Sequence, residues 1–268
     1  MKIFKAGNYL KRLLYHRYER VLEKEVLRSE IPAHLAVIMD GNRRYASRIG
    51  EASYRGHFYG ARIVEDLLEW SLDIGISHLT LYAFSIENFD RDEEEKAKIF
   101  ELITKKFDEL RVDQRIHKNR VRISTIGDIK LLPVSLQDAI KRAEEATAGY
   151  QGMRLNIALA YSGKREITRA LQKIGEEVAA GKLSPQEITE DTLTAFLYEN
   201  NSRDVDHMIR TGGENRTSNF MPWQASGSEC SISFLMPLWP ELRRIDFLRA
   251  IRTYQRCAAK GDRVTASS

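Results

Sequence analysis

This chain reads as a single α/β domain built on a largely parallel sheet, and three observations lead there. Short apolar runs alternate with longer stretches of helical periodicity from Pro32 onward. The 268 residues suffice for one large core. No repeat, low-complexity segment or linker divides them.

Taken in chain order, residues from about Asn8 to Arg28 form an amphipathic helix, with Leu10, Leu13, Leu14, Tyr18, Val21, Leu22 and Val26 at helical spacing and basic residues between them. Such a helix either packs on the body with a solvated face or lies on anionic lipid; Glu19, Glu23 and Glu25 dilute its charge and favour the first. Six runs are strand candidates: Leu35–Met39, His78–Phe84, Val121–Ile126, Leu155–Tyr161, Asp206–Arg210 and Cys230–Phe234. Helices are expected over Gly60–Ile74, Asp92–His117, Ser135–Thr147, Arg165–Ala180 and Thr189–Glu199. The expected organisation is an N-terminal helix over residues 1–30, a domain over 31–258 and a small, polar, frayed tail over 259–268.

Composition narrows the function classes. A net charge of +4 is too small to imply nucleic acid, and no nucleic-acid module is recognisable. Cys230 and Cys257 offer neither a disulfide framework nor zinc spacing, which suits a reducing cytoplasm. No apolar run is long enough for a signal peptide or a membrane span.

In parallel sheets ligands sit beyond the carboxyl ends of the strands. Four chemically rich segments fall there: Asp40-Gly41-Asn42-Arg43-Arg44-Tyr45, Ser85-Ile86-Glu87-Asn88-Phe89-Asp90-Arg91, Tyr161 to Arg165, and Arg210 to Asn219. A carboxylate, a turn glycine, a helix start and two arginines together suit Mg²⁺ and phosphate oxygens. Arg210, with Arg216 and Ser218 returned by a glycine loop, suits an anion clamp, and His57 stands at a helix start where a ring N–H meets phosphate. Each residue also has a plainer use. Asp40 alone serves equally as a helix cap, Asn88 as a turn residue, and Arg91–Lys98 as a solvated first helical turn. His34 and His78 read as structural, and His16, His117 and His207 show no metal-binding pattern.

These segments together resemble the cis-prenyltransferase family, the undecaprenyl and dehydrodolichyl diphosphate synthases. The likeness runs from Ile31 to about Tyr254 and rests on Met39 to Tyr45, Tyr82 to Phe89, Ile209 to Glu214, Trp223-Gln224 and Leu238-Trp239-Pro240. Arg43 and Ile86 are similar to the archaeal and eukaryotic variants of the motifs. The resemblance implies six mostly parallel strands surrounded by helices, an apolar tunnel and a homodimer. It implies Mg²⁺-dependent condensation of an allylic prenyl diphosphate with isopentenyl diphosphate, giving a cis-polyprenyl diphosphate, precursor of a lipid glycan carrier. By position, Asp40 and Glu229 would hold the metal, and Gly41, Asn42, Arg43, Arg44, Tyr45 and His57 would line the allylic diphosphate site, with Arg55 standing near a family arginine that falls on Ser53 here. Arg210, Arg216 and Ser218 would bind the isopentenyl diphosphate, Asn88 and Arg91 would orient it and serve proton loss, Ser85 and Glu87 would lie beside them, and Phe89 would be an aromatic wall. Tyr82, Phe84, Phe89, Trp223 and helix residues Ile63–Leu72 would exclude water.

Departures such as Asn215, Lys164, the longer Glu229-to-Trp239 spacing and the irregular Arg256-to-Gly261 segment motivate a related reading with a different acceptor, another five-carbon diphosphate or an alcohol. A non-catalytic partner subunit would have lost the metal and phosphate residues, which are present. An all-helical trans-prenyltransferase would carry DDxxD-type motifs, which are absent.

Overall fold

The structure is a computed structural model and describes residues 15–198, 203–226 and 230–265. Six strands form one sheet: β1 (His34–Ile38), β2 (His78–Ser85), β3 (Arg122–Ile126), β4 (Arg154–Tyr161), β5 (His207–Arg210) and β6 (Ser231–Phe234). Their order is β3-β4-β2-β1-β5-β6 and every pairing is parallel. All six strand candidates are present, to within a residue at every end. β1 and nearly all of β4 are buried along their whole length, as parallel strands covered on both faces must be.

Around the sheet lie α1 (15–26 among the described residues), α2 (Asn42–Arg48), α3 (Ser53–Ile74), α4 (Glu93–Val112), α5 (Gln114–Lys118), α6 (Val134–Thr147), α7 (Gly163–Ala179), α8 (Glu190–Phe196) and α9 (Arg244–Thr265). The main core gathers β1, β2 and β4 against α3, α4 and α6 through residues such as Val37, Leu67, Leu79, Phe84, Phe107 and Leu155.

Three boundaries differ from the sequence expectation. α3 begins at Ser53, not Gly60, because Gly56 and Gly60 are contact points: a Cβ at Gly56 would meet the Asn42 carbonyl, and one at Gly60 would meet Asn42 and Trp239. The expected helix Asp92–His117 breaks at Asp113, whose extended backbone starts α5 while its carboxylate accepts from Arg115 N at 2.7 Å. α9 was not foreseen, and its backbone continues to Thr265, past the expected start of the tail.

α1 buries Leu22 and Val26 and is tied to α9 by Glu23–Arg244 at 2.6 Å and Glu25–Arg252 at 3.3 Å. That is packing on the body, though Tyr15, Val21 and Leu27 stay exposed; Leu10, Leu13 and Leu14 lie outside the described residues.

Candidate active site

β1 and β5 are neighbours with Ile38 opposite Arg210, so the loops that follow them meet at the carboxyl edge of the sheet. A cavity of about 1140 Å³ opens there and runs between α3, α4 and the ends of β1, β2 and β4. Its mouth carries five arginines (Arg43, Arg44, Arg91, Arg210, Arg216) against three carboxylates (Asp40, Glu87, Glu214), an excess that favours a polyanion.

Asp40 is held from both ends. Its backbone carbonyl accepts from Thr211 Oγ1 at 2.7 Å and from Trp239 N at 2.9 Å. Its carboxylate accepts from Arg210 Nη2 at 2.8 Å and faces Arg44 Nη2 at 3.2 Å. Gly41 follows at φ 116°, the left-handed region in which glycine is unstrained, and a Cβ there would press on Leu238. No side chain caps α2, but seven residues make only a short dipole, so the local positive field comes chiefly from Arg43 and Arg44.

Arg210 is the buried centre of this arrangement, 3% exposed. Besides Asp40, it donates through Nη1 to the Arg216 carbonyl at 2.6 Å and to Ser218 Oγ at 2.7 Å. Ser218 and Asn219 both sit at positive φ, 48° and 59°. Asn219 is fixed by Ser162 and the start of α7: its Nδ2 donates to Ser162 Oγ at 2.8 Å and its Oδ1 accepts from Lys164 N at 2.9 Å. The segment after β4 therefore supports the loop after β5 and does not line the cavity. Gly212, at φ 86°, lies where a Cβ would strike Arg44 and crowd the Asp40 carbonyl, while Arg44 Nη1 donates to the Gly212 carbonyl at 2.8 Å. Arg216 is exposed and pairs with Glu214.

The third wall follows β2. Asn88 Oδ1 accepts from Ser85 N at 3.2 Å, closing a 3-10 turn over Ile86–Asp90, so Asn88 is a turn residue and a cavity residue at once. Its oxygen is engaged in the turn; its amide donors remain for a substrate. Arg91 Nη1 donates to Glu95 Oε1 at 3.1 Å and to His57 Nε2 at the same distance. A guanidinium has no acceptor, so Nε2 accepts and the hydrogen of His57 resides on Nδ1. Burial, then the charges of Arg91 and Arg43, holds the His57 imidazole down to about 3. Glu95, 8% exposed and 3.6 Å from Arg43 as well, was hidden within a run read as a solvated helical turn. The available signal was its spacing of four from Arg91.

Gly41, Asn42, Arg43, Arg44, His57 and Ser85 line the cavity, with Glu87 and Ser218 beside them. Tyr45 instead packs on Tyr59, with ring centroids 5.4 Å apart, and Arg55 pairs with Glu51 on the surface. Phe89 packs edge-on against Phe84 at 5.1 Å behind the cavity wall, and Trp223 bonds Thr194 between α7 and α8. Glu229 lies outside the described residues. Among the described residues no group of three or more His, Cys, Asp or Glu side chains forms a ready-made metal cage.

Three histidines, His207 buried and His57 and His78 half-buried, give the fold a pH dependence. Burial lowers His57 to about 3, and His78 and His207 to about 4. Each folded value lies below the unfolded one near 6.5, so between these values the unfolded chain binds more protons and stability rises with pH. Their contribution is complete above about pH 6.5 and is lost as pH falls toward 4. Melting temperature followed across this interval is expected to drop steadily, less steeply in a His207→Leu variant; a flat profile in the wild type would contradict it.

The family model described as "Putative undecaprenyl diphosphate synthase" matches residues 38–261. A tritrans,polycis-undecaprenyl-diphosphate synthase (geranylgeranyl-diphosphate specific) of Methanosarcina mazei is 48% identical over 91% of this chain and 83% of its own. The enzyme of the same description from Methanocaldococcus jannaschii is 47% identical over 89% of this chain and 85% of its own. Among solved structures, lavandulyl diphosphate synthase from Lavandula x intermedia in complex with dimethylallyl diphosphate is 32% identical with a TM-score of 0.77, covering 84% of this chain and 95% of that one. A probable undecaprenyl diphosphate synthase from Campylobacter jejuni is 34% identical with a TM-score of 0.66, over 83% and 95%.

Proposed function

This chain belongs to the undecaprenyl diphosphate synthase family of cis-prenyltransferases, and from that premise we propose that it extends geranylgeranyl diphosphate with isopentenyl diphosphate into a long cis-polyprenyl diphosphate. The observation that carries the reading is the arginine-rich mouth around Asp40 leading into an apolar cavity. The choice of primer is supported by the geranylgeranyl-diphosphate specificity of archaeal relatives at 47–48% identity.

In this reading the allylic diphosphate lies against Asn42, Arg43 and Arg44, with the Nδ1–H of His57 turned to a phosphate oxygen. The isopentenyl diphosphate lies against Arg216, Ser218 and the amide of Asn88. The allylic C–O bond breaks and diphosphate departs with the electron pair. The isopentenyl double bond then attacks the allylic carbon, and a proton is lost as the new cis double bond forms. Arginines placed where negative charge develops stabilise the departing diphosphate. The apolar walls keep water from the cation. His57 is no ready base through Nε2, because Arg91 occupies that lone pair.

A Mg²⁺ ion fits the donor chemistry. Mg²⁺ takes one or two carboxylates and completes its shell with water and substrate phosphates. Asp40 offers a carboxylate, 29% exposed on the cavity side, beside arginines suited to the same phosphates. Asp40 would hold the ion, which would neutralise charge on the leaving diphosphate. Exposed Arg17, Arg20, Lys24 and Arg28 beside Val21 and Leu27 support contact of α1 with anionic lipid. The position of β6 at the edge of the sheet, with Phe234 and Met236 exposed, supports pairing with a second copy.

Purified protein given labelled isopentenyl diphosphate, Mg²⁺ and a panel of allylic primers is the test, with products analysed by mass. Elongation is expected, most rapid from geranylgeranyl diphosphate. Absence of elongated product with every primer would end this reading. Transfer to another five-carbon diphosphate would establish the second one, which the likeness to lavandulyl diphosphate synthase supports at the lower identity of 32%.

A further inference from the structure

From Ser218 to Met221 the chain takes a left-handed course without a glycine. Ser218, Asn219 and Met221 stand at positive φ, 48°, 59° and 48°. Phe220 N donates to the Thr217 carbonyl at 3.1 Å and closes a turn over Ser218 and Asn219. A turn with both central residues at positive φ favours glycine and asparagine, so Asn219 suits its place and Ser218 does not. The hydroxyl explains the serine. Ser218 Oγ accepts from Arg210 Nη1, which leaves its own hydrogen for an anion in the cavity. A serine held in this conformation needs outside support.

The support comes largely from α7. That helix begins at Gly163, and its N-cap Ser162 makes no side-chain capping bond. Asn219 caps the helix from across the fold instead. Its Oδ1 accepts from Lys164 N at 2.9 Å, and its backbone carbonyl accepts from Gly163 N at 2.9 Å. Its Nδ2 donates to Ser162 Oγ at 2.8 Å. The approach is close enough that a Cβ at Gly163 would press on Pro222 and on the Asn219 carbonyl. Just beyond the turn, Phe220 stacks on Tyr82 with ring centroids 4.4 Å apart. Asn42 and Arg43, assigned above to the allylic diphosphate, stand on α2 and take no part in these bonds.

We propose that Asn219 is a positioning residue for the acceptor: by capping α7 it holds the 217–220 turn in its left-handed form and so sets the affinity for isopentenyl diphosphate. The role rests on Arg216 and Ser218 being the diphosphate contacts of the acceptor. Without the carboxamide the first amides of α7 turn to water, and the turn relaxes toward right-handed backbone. The Ser218 hydroxyl then leaves its place beside Arg210. Once both substrates are seated the chemistry is the same, so the loss falls on the KM for the acceptor and not on kcat.

Steady-state kinetics of the full chain test this, beside calorimetric titration of isopentenyl diphosphate without primer. In Asn219→Ala the KM for isopentenyl diphosphate is expected to rise about tenfold, with kcat and the KM for the allylic diphosphate within about twofold of the wild type. Asn219→Gly accepts positive φ without strain yet lacks the side-chain cap, and should resemble Asn219→Ala. Ser162→Ala lies outside the cavity lining and removes one of the bonds that hold Asn219. It should raise the same KM by a smaller factor, and it decides the matter alone where the Asn219 variants fail to fold. An unchanged acceptor KM in the variants that fold, or wild-type behaviour of Asn219→Gly, would overturn the proposal. So would a rise of both KM values together, the mark of a general loss of structure. Should no primer yield elongated product, the synthase reading falls, while the titration still decides whether Asn219 sets the affinity for isopentenyl diphosphate. A wild type that does not bind it would overturn the proposal as well.

Discussion

Asp40→Asn is expected to lower turnover roughly a thousandfold in a chain that still folds, though with a lowered melting temperature because the buried Arg210 loses its counter-charge. The loss of rate is on the scale of removing a preorganised group at a developing anion. The substitution keeps the size of the side chain and the backbone contacts from Thr211 and Trp239, which hold the carbonyl and not the carboxylate. What it removes is the negative charge between Arg210 and Arg44 and an oxygen donor of the kind a hard divalent cation takes. Steady-state rates against Mg²⁺ concentration check it, beside a thermal melt. Near-normal turnover with an unchanged Mg²⁺ response would remove Asp40 from the metal site.

Arg210→Ala is expected to damage binding and stability together. The set of contacts around its guanidinium separates it from a simple anion contact: Asp40, the Arg216 carbonyl and Ser218 all depend on it, and its side chain is only 4% exposed. Breaking a pair this buried costs on the order of 3 kcal/mol. For a chain of this size that corresponds to a fall in melting temperature of roughly 6–12 °C. The KM for isopentenyl diphosphate should rise, because Ser218 loses the bond that holds it at positive φ. Arg210→Lys restores charge but not the two-pronged geometry, so it recovers only part of either loss. Arg216→Ala is the contrast: its side chain is 65% exposed, so KM should rise with the melting temperature unchanged. Equal melting temperatures for Arg210→Ala and the wild type would refute the structural role of Arg210.

The sheet was legible because buried parallel strands are short, apolar and bounded by turns, and the runs through Val37 and Ile157 meet that description without tertiary knowledge. The helix boundaries were less so. Gly56 and Gly60 look like helix-weakening residues in one dimension, yet they begin α3 because Asn42 and Trp239 press on that face. Asp113 looks like one more polar residue in an amphipathic run until its carboxylate is seen capping α5. Most of the site was readable from the segments after β1, β2 and β5. Tyr45, Arg55 and Phe89 share those motifs or flank them but turn to Tyr59, Glu51 and Phe84.

The sequence by itself determined the α/β class, the order of the strands along the chain and the segments that gather at one sheet edge. Periodicity and turn chemistry are local, and the rule that places ligands beyond parallel strands needs no coordinates. Only the tertiary structure decided what each charged group does there. It made Arg210 a buried strut and Arg216 an exposed contact, left His57 neutral, drew Glu95 out of a surface helix, and brought Arg115 back to α3. Those roles depend on desolvation and on partners as far as 170 residues away in the chain. Burial and long-range pairing belong to the packed whole, so no local pattern of residues records them.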